Sequence, residues 1–536
     1  MEVPDAVNSP FSALPASWIL GAAVVVTFAY CAICLVKRVA GTPGNPPLPP
    51  GPPGEFLLGH YRVVPLDAPF RKYAEWAKEY NTDVLYFETL GTKWIVLNTL
   101  KSAVELLEYR GSNYADRPRF VMFEEMGWSP TLTWLRWGPK YRLHRRILQP
   151  PFTKSRVAEY AAIQQREALI CCKGIIDNPV VWVSSVRQFA VAIMLHISYG
   201  LDVDGPTSPW VKLAEDSANA IGKSGAPASS IMDRVPATRY LPSWLPFMER
   251  LRYAHTWRFA IESITNLPFE ASLKQMASKP DRKFFTHNRI AVFNENAENG
   301  IPNEFRLEDI KGAAATILIA GNDTTAATTM LLVLYLMQNP RVQQKARAEI
   351  DHIVGPSRLP TLDDIPNLPY TNLVLQETYR MNPLSPLGIP HASVADDIYD
   401  GMFIPRGTIV YQNVWAMLHD ESVYRDPFRF WPERYLPVAE GGNGEPLPVG
   451  NFGFGRRICI GRNLAESSLL IVLATMLATL NINWPPGPDG KPTPFEPEWS
   501  FRGQAIVLPF KAAIASRSKK AEEILDSGIR ELRDGC

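Results

Sequence analysis

The sequence predicts a mainly α-helical fold with small β-sheets, preceded by one transmembrane helix. Three observations carry this. An uncharged apolar run fills Trp18 to Val36 (WILGAAVVVTFAYCAICLV), close to the roughly 20 residues that a bilayer-crossing helix needs. Leu307 to Met337 reads as one long apolar helix, with Glu308 and Asp309 near its start and Asn339-Pro340 at its end. Apolar residues recur at helical spacing through much of the rest, whereas Val84 to Asn98 alternates as a hairpin turning near Gly91.

At the N-terminus, Lys37 and Arg38 follow the apolar run at once, and Glu2 and Asp5 precede it. The positive-inside rule then leaves residues 1–17 outside the cytosol and puts the body of the chain inside it. A cleaved signal peptide fits less well, because the positive charge follows the run instead of preceding it. Gly41 to Gly54 (GTPGNPPLPPGPPG), within segment 37–54, reads as a semi-rigid proline spacer between anchor and body.

The length of 536 residues alone would suggest about three or four domains. The net charge of +1 gives no reason to expect a nucleic-acid partner. Cys31, Cys34, Cys171, Cys172, Cys459 and Cys536 lack the spacing of a disulfide framework or a zinc site, so a reducing compartment is expected.

In the body, Asp67 is expected to cap a helix running to Tyr80, with Phe70, Tyr73, Ala74 and Trp76 on one face. A helix around Ala103 to Tyr109 and an irregular aromatic stretch from Tyr114 to Thr131 follow. Gly138 to Ile147 carries Lys140, Arg142, Arg145 and Arg146. Arg156 to Glu270 is helical in pattern and free of motifs. Within it, Val235 to Phe247 is either a second, shallow membrane contact through Trp244, Leu245 and Phe247 or a buried loop.

Two stretches carry chemistry. In the long helix, Ala320-Gly321-Asn322-Asp323-Thr324-Thr325 combines small residues with an acid and an alcohol. Thr324 can bond back to the carbonyl of Ala320 and bend the helix. Asp323 and Thr324 together suit proton delivery. Asn322-Asp323-Thr324 also spells a glycosylation sequon, which a buried cytosolic helix would not use. The other stretch is Phe452-Gly453-Phe454-Gly455-Arg456-Arg457-Ile458-Cys459-Ile460-Gly461. Gly453 and Gly455 allow a turn, and Gly461 lets a flat group lie close. Arg457 can pair with an anion on that group. Cys459 lies just ahead of an apolar helix, whose N-terminus favours a thiolate fit to be the axial ligand of haem iron.

The pattern Phe-x-x-Gly-x-Arg-x-Cys-x-Gly, Phe452 to Gly461, resembles the haem-binding loop of the cytochrome P450 monooxygenases, most closely the fungal microsomal members. The resemblance implies one haem-thiolate domain over residues 55–515, not several, with a charged tail at 516–536. It implies haem as cofactor, with Cys459 as its iron ligand in a loop shaped by Phe452, Gly455 and Gly461. Arg457, Arg145, Tyr141 and His391 would meet the haem propionates; Tyr141 stands where the family commonly has tryptophan. Asp323 and Thr324 match the oxygen-activation motif. Glu377, Arg380 and Arg434 match a structural network, with Tyr435 where phenylalanine is frequent. Phe120, Leu387, Ile389 and Gln504 fall in stretches that line the family's substrate cavity.

The same resemblance implies oxygen insertion into a hydrophobic small molecule, in secondary metabolism or xenobiotic oxidation. The electrons would come from NADPH through a separate flavoprotein reductase docked by the basic residues, because the chain has no dinucleotide fingerprint of its own. Placement in the endoplasmic reticulum membrane, with the catalytic domain facing the cytosol, would follow. Two rival readings are a haem-thiolate isomerase or dehydratase that needs no reductase, and a non-enzymatic haem sensor.

Overall fold

Helices dominate because long apolar stretches outnumber alternating ones, and one of them is apolar all round. The structure, a computed structural model, describes residues 45–534 except 57, 129, 226–227, 279–281 and 502. The apolar run Trp18 to Val36 and the first part of the spacer lie outside the described residues. The main helices are α1 (Pro69–Glu79), α2 (Val121–Glu125), α3 (Pro139–Leu148), α4 (Ala161–Asp177), α5 (Trp182–Tyr199) and α6 (Pro209–Gly222). They continue with α7 (Glu249–Ser278), α8 (Leu307–Gln338), α9 (Pro340–Ile353), α10 (Pro369–Met381), α11 (Arg462–Thr479) and α12 (Lys519–Asp534).

Helix α8 runs 32 residues through the centre and packs on α5, α7 and α11. Being surrounded, it needs no polar face. Both α5 with its preceding turn (Pro179–Tyr199) and α8 are long and apolar enough to cross a membrane, yet both are mostly buried inside the protein and serve as core helices.

Strands β1 (Val84–Thr89) and β2 (Thr92–Leu97) form the expected hairpin, with Val84 opposite Leu97. Leu90 and Gly91 both take positive φ, the tight turn whose twist suits a two-residue hairpin. The sheet continues through β6 (Ile409–Gln412), parallel to β2, to β3 (His391–Ala392). A bridge between Asp116 and Ala392 ties the Tyr114–Arg117 segment to this far edge. The sheet thus brings His391 beside a segment about 275 residues earlier.

Some local expectations are corrected. Asp67 does not cap α1: the N-cap is Ala68, in left-handed conformation without a side-chain bond, and the helix starts on Pro69. The helix near Ala103 is α-helical only over Leu100–Ala103 and becomes a π-helix over Val104–Tyr109. The irregular stretch holds the short α2. The spacer's second half is docked: Pro47 and Pro50 accept bonds from the Phe403 and Tyr86 N–H groups. Proline cannot donate, but it accepts freely. The described part of the charged tail, residues 516–534, is docked on the body. Ser516 ends β10 (Ala513–Ser516), paired with β7 (Leu480–Asn483), and α12 packs on α4 and α11 through fully buried Leu525.

Between α6 and α7, Trp244 is 74% and Phe247 58% exposed, whereas Leu245 packs against core residues. Two of the three residues expected at an interface therefore face outward.

Candidate active site

The cysteine loop leads straight into α11. Its chain reverses where Gly453 and Gly455 take positive φ, and the Cys459 N–H donates to the Phe452 carbonyl at 2.8 Å. At Gly455 a Cβ would lie 1.9 Å from the Leu107 carbonyl oxygen, so only glycine lets the loop sit on the π-helix. Gly461 is the N-cap of α11, and the one neighbour a Cβ there would meet is the Cys459 Sγ at 3.9 Å. The expected open space beside Gly461 is therefore present. Phe452 stands edge-on to Tyr379, 5.5 Å between ring centres.

Cys459 presents accessible surface, although protein surrounds it closely enough that burial dominates its acidity. Its open surface therefore faces space inside the fold. Burial pushes the thiol up from its ordinary value, opposed by the Gly461 and Arg462 N–H groups and by the Arg145 and Arg462 cations. The helix N-terminus and cations expected to favour a thiolate are present, but desolvation outweighs them. A thiolate here calls for one more positive charge at the sulfur, which a metal ion supplies.

Arg457 is not the cation beside Cys459. Its Nε donates to the Ala115 carbonyl at 2.6 Å, its Nη2 donates to Leu135 at 2.9 Å, and its guanidinium lies 3.7 Å from the centre of the Tyr141 ring. Tyr141 donates its hydroxyl to the Arg456 carbonyl at 2.8 Å, and Arg145 Nη1 donates to Ile458 at 2.8 Å. Helix α3 thus grips the cysteine loop at two carbonyls. Tyrosine in place of tryptophan keeps an aromatic platform for Arg457 and adds a loop contact.

Two residues that the sequence reading left without a role complete this cluster. Arg117 is 5% exposed and donates from Nη1 to the carbonyls of Ile389 and Pro390, at 2.6 and 2.9 Å. Asp116 next to it is engaged by Arg136 and by the Arg117 and Trp137 N–H groups. The signal was the Asp116-Arg117-Pro118 triplet inside the aromatic stretch, read only as pocket lining. His391 Nδ1–H donates to the Tyr114 carbonyl at 2.8 Å. Burial and repulsion from each other or from nearby cations push both arginines down, Arg457 to about 10.

On α8, Thr324 Oγ1 donates to the Ala320 carbonyl at 2.9 Å, as expected, and the helix stays continuous through this point. Ala320 is exposed and Thr316 and Thr324 half-exposed, while Leu318, Ile319, Asn322 and Thr325 are buried. Those three residues, spaced by four, form one open stripe on an otherwise enclosed helix. Asp323 rises above the usual carboxylate range through burial, opposed by Arg187. Asn322 is buried and bonded to the Leu318 carbonyl, which takes the sequon out of reach.

Of the substrate-stretch residues, Leu387 and Ile389 are half-buried, in the segment leading to β3. The hairpin of β8 (Trp499–Ser500) and β9 (Ile506–Val507) is tied to that segment by Ala505 N–H donating to Leu384 and Asn382 donating to Ala505, and it touches α8. It carries Gln504, whose Oε1 is buried and unpaired among the described residues. Phe120 sits in an aromatic cluster with Phe123 and Trp134, at ring distances of 5.8 and 5.1 Å, and Leu387 packs against the same hydrophobic cluster.

Glu377, Arg380 and Arg434 form the expected network, all fully buried. Glu377 accepts five hydrogen bonds: two from Arg380 and one each from Arg434, the Trp431 N–H and the Tyr435 hydroxyl. Tyr435, departing from the usual phenylalanine, supplies the shortest of these at 2.7 Å. Glu445, which sequence reasoning missed, pairs with Arg434 at 2.6 Å and brings the network to two carboxylates and two guanidiniums.

The family model for cytochrome P450 matches residues 49–510. Cytochrome P450 monooxygenase 98 of Postia placenta is 32% identical, over 94% of this chain and 96% of its own. Cytochrome P450 monooxygenase COX1 of Coprinopsis cinerea is 32% identical over 88% and 91%, and tryptamine 4-monooxygenase of Psilocybe cyanescens is 33% identical over 88% and 92%. The chain belongs to the cytochrome P450 family. It is an oxidoreductase of the monooxygenase class, and its cofactor is haem with a cysteine thiolate as axial ligand.

The residues present fit that group. Cys459 is a thiol that burial holds back from ionising and that a metal ion would stabilise as a thiolate. Arg457 Nη1 and Arg117 Nε are buried donors without a partner among the described residues. Two buried guanidiniums there lack a free carboxylate, since Asp116 is already engaged by Arg136. Carboxylate side arms on a flat cofactor would supply the missing acceptors and charge.

Proposed function

We propose that this protein inserts one oxygen atom from O₂ into a hydrophobic small molecule, with electrons drawn from NADPH through a separate flavoprotein reductase. The observation that carries the reading is the open stripe of Thr316, Ala320 and Thr324 on α8, with Asp323 next to Thr324. A haem-thiolate isomerase or dehydratase, or a haem sensor, has no need of a proton-delivery pair.

Bound haem would supply oxygen activation, with thiolate donation favouring O–O cleavage. Cys459 would hold the iron. Arg117, Arg145, Arg457 and His391 would orient the side arms. Thr324 Oγ1 spends its hydrogen on Ala320 and keeps lone pairs to receive a proton from water or acid. Asp323, with its proton affinity raised by burial, would feed that relay. The apolar faces of Leu387 and Ile389 would hold substrate and exclude bulk water. Arg142 and Arg456, each 5.8 Å from the centre of the Trp137 ring, belong to a basic surface near the cysteine loop suited to an acidic electron donor. Exposed Trp244 and Phe247 suit a membrane surface beside the N-terminal anchor, with the catalytic body on the cytosolic face of the endoplasmic reticulum.

The test is turnover by the full-length protein and a reductase in membranes. Terpenoids, steroids, fatty acids and polycyclic aromatics form the panel, and the tryptamine relative adds indole amines. Products heavier by one oxygen, dependent on NADPH and O₂, are expected. Product formation that persists without NADPH and oxygen would replace the proposal with the isomerase or dehydratase reading.

Thr324→Ala should retain haem and consume NADPH while product falls roughly 100-fold, the lower end of what a positioned proton donor contributes. Peroxide should account for the missing electrons. Unchanged product per NADPH would remove Thr324 from the relay.

A further inference from the structure

His391 is 3% exposed on β3, and its Nδ1 faces the Tyr114 carbonyl at 2.8 Å. A carbonyl only accepts, so Nδ1 carries the hydrogen. In the neutral ring Nε2 is then a bare acceptor. A carboxylate oxygen is an acceptor too, and two acceptors do not bond. His391 can therefore grip a carboxylate only as an imidazolium.

We infer that haem and one proton bind this site together: His391 becomes a cation when a haem propionate sits beside it, and donates to it from Nε2. This rests on the haem-site reading above. The charged groups facing the ring are few. Arg117 reaches it from the aromatic stretch and Arg457 from the cysteine loop; both repel a third cation, and with burial they hold His391 well below its ordinary value. Asp116, across the bridge to Ala392, is engaged by Arg136. From α3, Tyr141 bonds the Arg456 carbonyl and Arg145 bonds Ile458. On β6 the paired neighbours are apolar Val410 and Ile409. No carboxylate of the described chain is free to reverse this field. A propionate reverses it. Arg457 Nη1 and Arg117 Nε are buried donors without a partner among the described residues, and two carboxylates that receive them still have acceptor capacity for His391.

The sign follows from linkage. The free-state proton affinity is depressed and the bound-state affinity raised. Between those two values each haem binds one proton, so affinity falls as pH rises, by up to about tenfold per pH unit, and levels off above the bound-state value.

The experiment follows haem transfer from the full-length haem protein to excess apomyoglobin between about pH 6 and about pH 9, for wild type, His391→Gln and His391→Ala. Gln can donate to a carboxylate without titrating. Wild-type loss should accelerate with pH, by up to about tenfold per unit. His391→Gln should lack this acceleration, and His391→Ala should lose haem faster throughout. The reduced carbon-monoxide spectrum of each variant checks that the thiolate ligand is kept. Identical pH curves for wild type and His391→Gln would overturn the proton linkage alone. Wild-type retention in His391→Ala would overturn the contact between His391 and the propionate, and with it this part of the haem-site reading.

Discussion

Cys459→Ala abolishes the red-shifted reduced carbon-monoxide band of thiolate-ligated haem, and turnover drops to background. Alanine removes the sulfur but leaves the loop, because its turns depend on Gly453 and Gly455 and on the bond from the residue 459 N–H to Phe452. Some haem can still associate, since Arg117, Arg145, Arg457 and His391 are untouched. That residual haem lacks the electron-donating ligand that favours O–O cleavage. The carbon-monoxide difference spectrum of the variant in membranes decides the matter, and a normal thiolate band there would refute the ligand assignment.

Glu377→Gln strips the buried network of its central acceptor. Five hydrogen bonds converge on that carboxylate, two guanidiniums among the donors. The amide turns one acceptor into a donor facing cations and leaves two positive charges with Glu445 as their remaining counterion. Breaking a buried ion pair from one side costs about 3–5 kcal/mol, a large share of the roughly 5–15 kcal/mol that holds a domain folded. Thermal unfolding should move down by many degrees, and haem incorporation should fall with it. The damage reaches the haem because Arg380 and Arg434 hold the carbonyls of Leu418, Arg425, Pro427 and Arg429, which brace the segment leading to the cysteine loop. A melting curve that matches wild type would mean the network is dispensable.

Much of this was legible in the chain because the physics is local. The α8 boundaries follow from acids at one end and Asn339-Pro340 at the other. The β1–β2 hairpin follows from alternation around Gly91. The Thr324 bond to Ala320 spans four residues, and so does one turn of helix. Glu377 and Arg380 are three apart on α10. Each involves groups whose separation is set by helix or strand geometry alone, so residue type and spacing suffice.

Much of the rest depended on groups brought together from different elements. Arg457 was expected to pair with an anion, but its anchoring to the carbonyls of Ala115 and Leu135 and its packing on the Tyr141 ring come from segments more than 300 residues earlier. Asp67 had the chemistry of a cap, but Pro69 and the left-handed Ala68 set the helix start first. The triplet around Arg117 named no partner, and Glu445 had no local signal, because their partners come from other segments. Residues 516–536 read as a charged tail because α12 docks through few apolar residues, Leu525 and Ile529, set among many charged ones.

By itself, then, the sequence determined the helical class through short-range spacing, while Cys459, the Asp323-Thr324 pair and the members of the Glu377 network were named by resemblance to the family. Only the tertiary structure decided which cations surround the sulfur, that burial raises its proton affinity, and that Arg117, Arg457 and His391 lie close together. Those outcomes are sums of desolvation and Coulomb interaction over groups that only the closed fold brings within reach.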